Sequence, residues 1–359
     1  MKVLLFGEYS GLFNNLKDGL VKIGHQVFLA SSGDGSKNFP SDFKFKTNKK
    51  LGKFSFAYQM ADIYKNKNLF KGFDVVMIIS PNMFTRYALP NRMMYKFLKN
   101  NNDKIFLSGA GISGILFDYW YEKEEEKYHK YMSGYIEKLQ DPTKFRCYKN
   151  NKLKKWEMEL YEMIDGYIPI WYEYAEPFRS ITTIKKTIPI PINIDEIKYS
   201  PNIINDKIIF FHGLAERSVK GHQYILGAFD QLRNKYKEEA EFVCEGGLPI
   251  SEYMKLLDKT NVVLDDANSY SLGMNALFSM AKGKIVMGGA EPVANAELGY
   301  SYNPAINLQP SIKQVAGKIE YIIEHKSEIE EMGRVSRQFV EDHHDYVKIA
   351  EEYVNVWQE

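Results

Sequence analysis

The stretch NSYSLGMNALFSMAKGK (Asn268–Lys284) places a serine and a glycine ahead of an apolar, helix-periodic run. Helix starts of this kind receive anions, because backbone N–H groups and the helix dipole point the same way. Met274, Leu277, Phe278 and Ala281 recur at i, i+3, i+4 and i+7, which predicts the core-facing stripe. Ser271 is placed to cap this helix, so that the amides of Leu272, Gly273 and Met274 point outward, with Gly273 letting a ligand approach the backbone. The stretch FFHGLAERSVKGHQ (Phe210–Gln223) adds cations, with a strand and a glycine turn leading to Arg217 and Lys220 before a second helix. Arg and Lys at such a turn can hold a diphosphate by charge-assisted hydrogen bonds. Each feature has a plain alternative, an ordinary capped helix or a solvated basic loop. Their occurrence in one half of the chain favours the anion site.

Carboxylates near these turns are the candidates for chemistry. Glu8 follows the first strand and is placed either to act as a general base or to cap the helix behind it. Asp265 and Asp266 end a strand, and Asn268 follows; they bind ligand hydroxyls or simply open the turn. Glu291 and Glu297 lie in GGAEPVANAE, where Glu291 is placed to meet a ligand unless it is an exposed loop acid. Tyr270 and Asn275 flank the same helix start. The seven histidines show no ligand spacing, and His343–His344 read as structural. SGAGISG has Gly109, Gly111 and Gly114 in the dinucleotide-binding spacing after a strand, but no second strand ending in an acid follows about twenty residues on. A nicotinamide site is therefore not the expectation.

The elements that must position these residues read as βα units. KVLLF (Lys2–Phe6), a helix through Leu12, Leu16, Leu20 and Ile23 closed by Gly24, and HQVFLA (His25–Ala30) open a parallel sheet. Strands DVVMII, KIFL and GYIPI follow, with a charged, aromatic insertion at about 117–162 between the last two. The Pro-rich TIPIPINIDEIKYSPN (Thr187–Asn202) reads as a linker. A second series runs from KIIFF (Lys207–Phe211) through strands at Glu241–Cys244, Val262–Leu264, Ile285–Met287 and Ala305–Leu308 to three closing helices. The expected fold is α/β: two Rossmann-like domains, 1–190 and 207–342, joined by linker 191–206 and facing across a cleft at the carboxyl ends of their sheets, with 343–359 as a final helix.

Length and composition agree with two filled cores: 359 residues, 45% hydrophobic and 14% aromatic. A net charge of +1 gives no pull toward nucleic acid. Cys147 and Cys244 fall in different halves and are read as reduced, as in a cytoplasmic protein. No signal peptide or membrane-spanning run is expected. KFRCYKNNKLKKWEMELY (Lys144–Tyr161) is basic and aromatic; it is a solvated segment or, at 144–161, a peripheral contact with the inner face of an anionic membrane.

GLAERSVKG followed by SYSLGMNALFSMAKGKIVMGG resembles the donor half of glycosyltransferase family 4, enzymes of the GT-B fold, most strongly over Ile208–Gly289. The opening GEYSGLFNNLKDGLVKIGHQV is similar to that family's glycine-bearing acceptor loop, which implies an acceptor side at Gly7, Tyr9, Ser10, Gly11, Gly109 and Gly111. The resemblance implies that Lys220 contacts a nucleotide diphosphate, with Arg217 substituting for an arginine that usually stands where this chain has Leu214. It also implies a base at Glu8 that deprotonates the acceptor hydroxyl, Glu291 meeting the transferred sugar, a donor sugar and nucleoside region at Asp266, Asn268, Tyr270 and Asn275, a final helix packed back on the first domain, and no metal or other cofactor. Two glutamates eight positions apart are usual in the family; Tyr270 and Phe278 stand there, so the usual grip on the sugar nucleotide is altered. The expected activity is transfer of a sugar from a nucleotide-diphosphate donor to a glycan or lipid-linked acceptor. The alternatives are a non-catalytic sugar-nucleotide binder or partner subunit, and a sugar-nucleotide epimerase.

Overall fold

The computed structural model describes residues 1–46, 55–83, 87–139, 151–214 and 219–359. The chain divides into two compact units. Met1–Tyr119, Pro142–Asn193 and Asp345–Glu359 form the first, and Trp120–Asp141 with Ile194–His344 form the second.

In the first unit, short apolar runs form a six-stranded sheet: β1 (Lys2–Phe6), β2 (Gln26–Ser31), β3 (Phe43–Lys44), β4 (Val75–Ile78), β5 (Lys104–Gly109) and β6 (Gly166–Pro169), in the order β3-β2-β1-β4-β5-β6. Every pairing is parallel. Strands buried on both faces need near-continuous hydrophobic sequence, and Val3–Phe6 and Val75–Ile78 supply it. Helix Leu12–Lys22 buries Leu12, Phe13, Leu16 and Leu20, and packs on the terminal helix Tyr346–Gln358. Gly19 permits the approach, since a Cβ there would lie 2.2 Å from the Tyr346 carbonyl oxygen.

Two expectations change here. The Pro-rich stretch begins as interior rather than linker: Ile188, Ile190 and Ile192 are buried, and the Ile188 amide donates to the Pro169 carbonyl at 3.0 Å, so β6 holds it. The basic, aromatic stretch lies partly outside the described residues (144–150); its remainder begins helix Asn151–Met163. That helix turns Leu153, Trp156, Leu160 and Tyr161 inward, and the Trp156 indole donates to the Pro81 carbonyl at 3.3 Å. Its aromatic rings are thus core, leaving Lys152 and Lys155 on the exposed side.

The second unit carries β7 (Ile208–Gly213), β8 (Ala240–Glu245), β9 (Val262–Leu264), β10 (Ile285–Gly288) and β11 (Ile306–Asn307), in the order β11-β10-β9-β7-β8, again all parallel. Phe210, Phe229, Phe242, Val262, Met287 and Ile319 belong to one core between this sheet and its helices. Strand order reverses between β7 and β9. In open α/β sheets such a reversal leaves a crevice beyond the carboxyl ends of the two strands, where ligands bind. Residues 120–133, read from sequence as part of a first-domain insertion, group with this second unit. Among the described residues no helix is long and apolar enough to cross a membrane.

Candidate functional site

The crevice at the β7/β9 reversal is polar and largely buried. β7 ends at His212–Gly213, and β9 runs into Asp265 and Asp266. The turn before helix His222–Arg233 brings Lys220 across, with Gly221 at φ 70, a conformation that favours glycine. Two bonds tie the turns together: Ala267 N–H to the Lys220 carbonyl at 3.2 Å, and Asn268 Nδ2 to the Val219 carbonyl at 2.7 Å. Lys220 Nζ then lies 2.6 Å from Asp265 Oδ1. The same oxygen accepts from Asn275 Nδ2 at 3.4 Å, and Asn275 Oδ1 accepts from the Tyr253 hydroxyl. Asn275 is the second residue of helix Met274–Ala281. The cation and the helix N-terminus that sequence proposed separately are therefore joined through one carboxylate.

Burial pushes the Asp265 carboxyl up, but Lys220 and Asn275 outweigh it and hold the group below the ordinary aspartate range. Among the described residues Asp266 forms no ion pair. Burial raises it to about 7, with the Asp265 charge adding and Lys220 and the Asn268 N–H opposing. Asn268 N donates to Asp266 Oδ1 at 2.8 Å, so this aspartate also shapes the turn.

Histidine spacing in the sequence gave no signal, yet His212 and His222 meet here. His212 Nδ1 faces the Leu264 carbonyl at 2.7 Å and must donate to it. Burial lowers His212 to about 4, so it is neutral; its Nε2 therefore accepts from His222 Nδ1. The pair fastens the end of β7 to the first turn of the helix behind Lys220.

The predicted helix start needs correction. Ser271 is not the cap. The helix begins at Met274 with Gly273 in the N-cap position, and Gly273 has no side chain with which to cap it. Ser271 instead lies in the preceding turn, its carbonyl accepting from Ser269 Oγ at 2.9 Å. Leu272 is buried, and Met274 and Phe278 are only partly so. The inward face is Ala276, Leu277, Met280 and Ala281. Gly289 lets the turn close over β10: a Cβ there would meet the Ser269 and Ser271 carbonyl oxygens at 2.6 and 2.7 Å. Arg217 lies outside the described residues.

Tyr270 and Glu291 find partners that sequence could not supply. The Tyr270 hydroxyl donates to Glu126, and its ring lies 5.6 Å from Trp120. Glu291 is no exposed acid; it pairs with Lys127 at 2.7 Å and accepts from Gln309 Nε2 at 2.6 Å. Burial pushes Glu291 up, and Lys127, outweighing it, holds the carboxylate below its usual range. Lys127 is 164 positions away in the EKEEEK run, and only the fold brings them together.

In the first unit, Glu8 is a cap. Its buried carboxylate accepts from Gly11 N at 2.8 Å, Asn14 N at 2.9 Å and Asn14 Nδ2 at 2.5 Å, at the start of helix Leu12–Lys22. Burial raises its pKa, which these donors oppose. The geometry favours the capping alternative over a free base. Gly7 and Gly11 have positive φ, as does Ser10, and Tyr9 is partly exposed beside Gly111. Gly109 is packed closely against β6, a Cβ there falling 2.3 Å from the Tyr167 hydroxyl. The GxGxxG-like turn has its own anion: Gly114 N and Ile115 N donate to the buried Glu157 carboxylate at 3.1 and 3.2 Å, which fills the place a pyrophosphate would take.

Residues 208–355 match a family model described as glycosyl transferase-like. Among curated proteins no sequence matches. Solved structures similar over essentially the whole chain include sucrose-phosphate synthase from Thermosynechococcus elongatus, at 14% identity and a TM-score of 0.62, covering 100% of this chain and 98% of that one. Anabaena HepE in complex with UDP and glucose gives 13% identity and 0.62, covering 100% and 99%. The UDP-GlcNAc 2-epimerase of Neisseria meningitidis gives 10% and 0.53, covering 99% of each chain. At such identities the likeness is one of fold.

Proposed function

We infer that this chain is a GT-B glycosyltransferase, a reading supported by the glycosyl transferase-like model over residues 208–355 and by the fold, and that it transfers a sugar from a nucleoside-diphosphate donor to a glycan or lipid-linked acceptor, without a resident metal. The observation that carries the donor assignment is the link Lys220–Asp265–Asn275 at the β7/β9 reversal. On this reading the donor diphosphate enters between Lys220 and the N-terminus of helix Met274–Ala281, competing with Asp265 for the ammonium. A diphosphate carries more charge than one carboxylate and offers more acceptor oxygens, so it draws Lys220 toward itself. As the glycosidic bond breaks, charge grows on the leaving diphosphate, and a fixed cation and helix dipole stabilise it without reorganisation. That HepE is described with UDP and with UDP-glucose supports this class of donor.

The nicotinamide alternative loses support from Glu157, which occupies its anion position. The epimerase and non-catalytic binder readings are separated by products. Incubation with a nucleotide sugar and acceptor glycan is expected to release nucleoside diphosphate in step with glycan extension. Conversion of the nucleotide sugar to an isomer without release would replace transfer by epimerisation, and binding with neither product would leave a binder.

A further inference from the structure

Segment 120–133 does more than fill space on the second unit. Lys127, only 7% exposed, is placed by contacts from several directions: Glu291 Oε1 at 2.7 Å, the Leu308 carbonyl at 3.0 Å and Asn307 Oδ1 at 3.5 Å, with the Tyr270 ring centroid 5.5 Å away. One step along, Glu126 accepts from the Tyr270 hydroxyl. Between them lies a pocket of about 310 Å³, lined by Glu126, Lys127, Tyr270, Glu291, Gln309 and Pro310 among others. That volume is at the small end of ligand sites, which run from about 300 to 1,000 Å³. It suits one sugar ring rather than a whole nucleotide sugar.

The chemistry of the walls points the same way. Two carboxylates, an amide and an aromatic face suit a polyol, which offers hydroxyls to donate and accept and C–H faces to stack, while the Lys127 ammonium, committed to Glu291, Leu308 and Asn307, fixes how Glu291 is presented. Lys127 and Gln309 both bond to Oε1 of Glu291, and Asn307 also bonds its carboxylate, so the acid is held in one place at the pocket wall. Tyr270, which lines the pocket, also belongs to the donor turn. Tyr270 follows Asp265–Ser269 in the chain and precedes Gly273, and its carbonyl accepts from the Glu291 amide at 3.0 Å. The Lys127 charge reaches Asp266 as well, helping to lower its pKa against burial.

We propose that this pocket receives the sugar of the donor, and that Lys127 and Glu126, contributed by segment 120–133, are specificity-determining residues that set which hydroxyl pattern is accepted. The assignment rests on the donor reading above. In it, the carboxylate chemistry that Tyr270 does not itself carry is provided by Glu126 and Glu291.

The test is a calorimetric comparison of UDP with UDP-glucose and UDP-N-acetylglucosamine, and of GDP with GDP-mannose, on wild type, Lys127→Met, Gln309→Leu and Glu126→Gln. For the wild type, one nucleotide sugar is expected to bind at least tenfold more tightly than its own nucleoside diphosphate. In the variants that ratio is expected to fall toward one, while affinity for the nucleoside diphosphate stays within about twofold. Because Lys127→Met leaves the half-buried Glu291 without its cation, Gln309→Leu and Glu126→Gln provide the comparison if that variant does not fold. A wild-type sugar preference retained in the folded variants would overturn the pocket assignment, as would a wild type indifferent to the sugar. Absence of binding to every nucleoside diphosphate and nucleotide sugar would overturn the donor reading, and the pocket assignment with it.

Discussion

At Lys220 the ammonium sits 2.6 Å from a buried carboxylate, so a substitution there removes both a ligand contact and the partner of Asp265. Lys220→Met is expected to lower stability by about 1.5–3 kcal/mol, the value of a hydrogen bond to a charged group. It is also expected to weaken nucleotide binding by roughly tenfold or more. Urea unfolding measures the first effect and calorimetry the second. Asp266 gives a pH signature of defined sign. Its folded pKa of about 7 exceeds the ordinary aspartate value of 3.8, so between those values the folded state holds a proton that the unfolded state has lost. Its contribution to stability is full below the lower value and is lost as pH rises through the upper one. Asp265, held low, acts oppositely, losing its contribution only as pH falls below the ordinary aspartate range. Melting temperature followed from pH 4 to pH 8 is expected to flatten in Asp266→Asn; an unchanged slope would remove Asp266 as its source.

The helix Met274–Ala281 and the turn before it depend on backbone approach more than on side chains. Gly289→Ala places a Cβ against two carbonyl oxygens and is expected to push the Ser269–Gly273 turn outward. Nucleotide affinity should fall by more than stability does, and a melting shift with affinity unchanged would count against that placement. Helix Leu12–Lys22 offers the contrasting case. Gly19→Val drives a branched side chain into the Tyr346 carbonyl, so helix Tyr346–Gln358 must move. The expected cost is about 1–3 kcal/mol in urea unfolding. Glu8→Ala at the same helix's start is expected to cost about 1 kcal/mol, as loss of a cap does. An activity loss in Glu8→Gln without change in melting temperature would restore the base that the geometry does not favour.

Across the molecule, periodicity carried the strands and glycine turns carried their ends. β1 and β9 fall on the predicted residues, and both sheets are parallel because the βα alternation allows little else. Sequence also placed Lys220 and the Gly273 turn in one half of the chain. What it could not contain was any pairing set by tertiary distance, such as Lys127 with Glu291, Tyr270 with Glu126, or His212 with His222. Those residues sit in runs whose local pattern is merely charged or aromatic, and nothing in such a run names a partner. The Ser271 cap failed for a local reason: Ser269 Oγ already bonds the Ser271 carbonyl, so the turn spends two further residues before the helix begins. The central claim, a diphosphate held between Lys220 and that helix, is tested most directly by titrating UDP, GDP and CDP into the wild type and Lys220→Met, with folding checked by circular dichroism. One nucleotide is expected to bind saturably to the wild type and at least tenfold more weakly to the folded variant. Equal affinity for both proteins would contradict it.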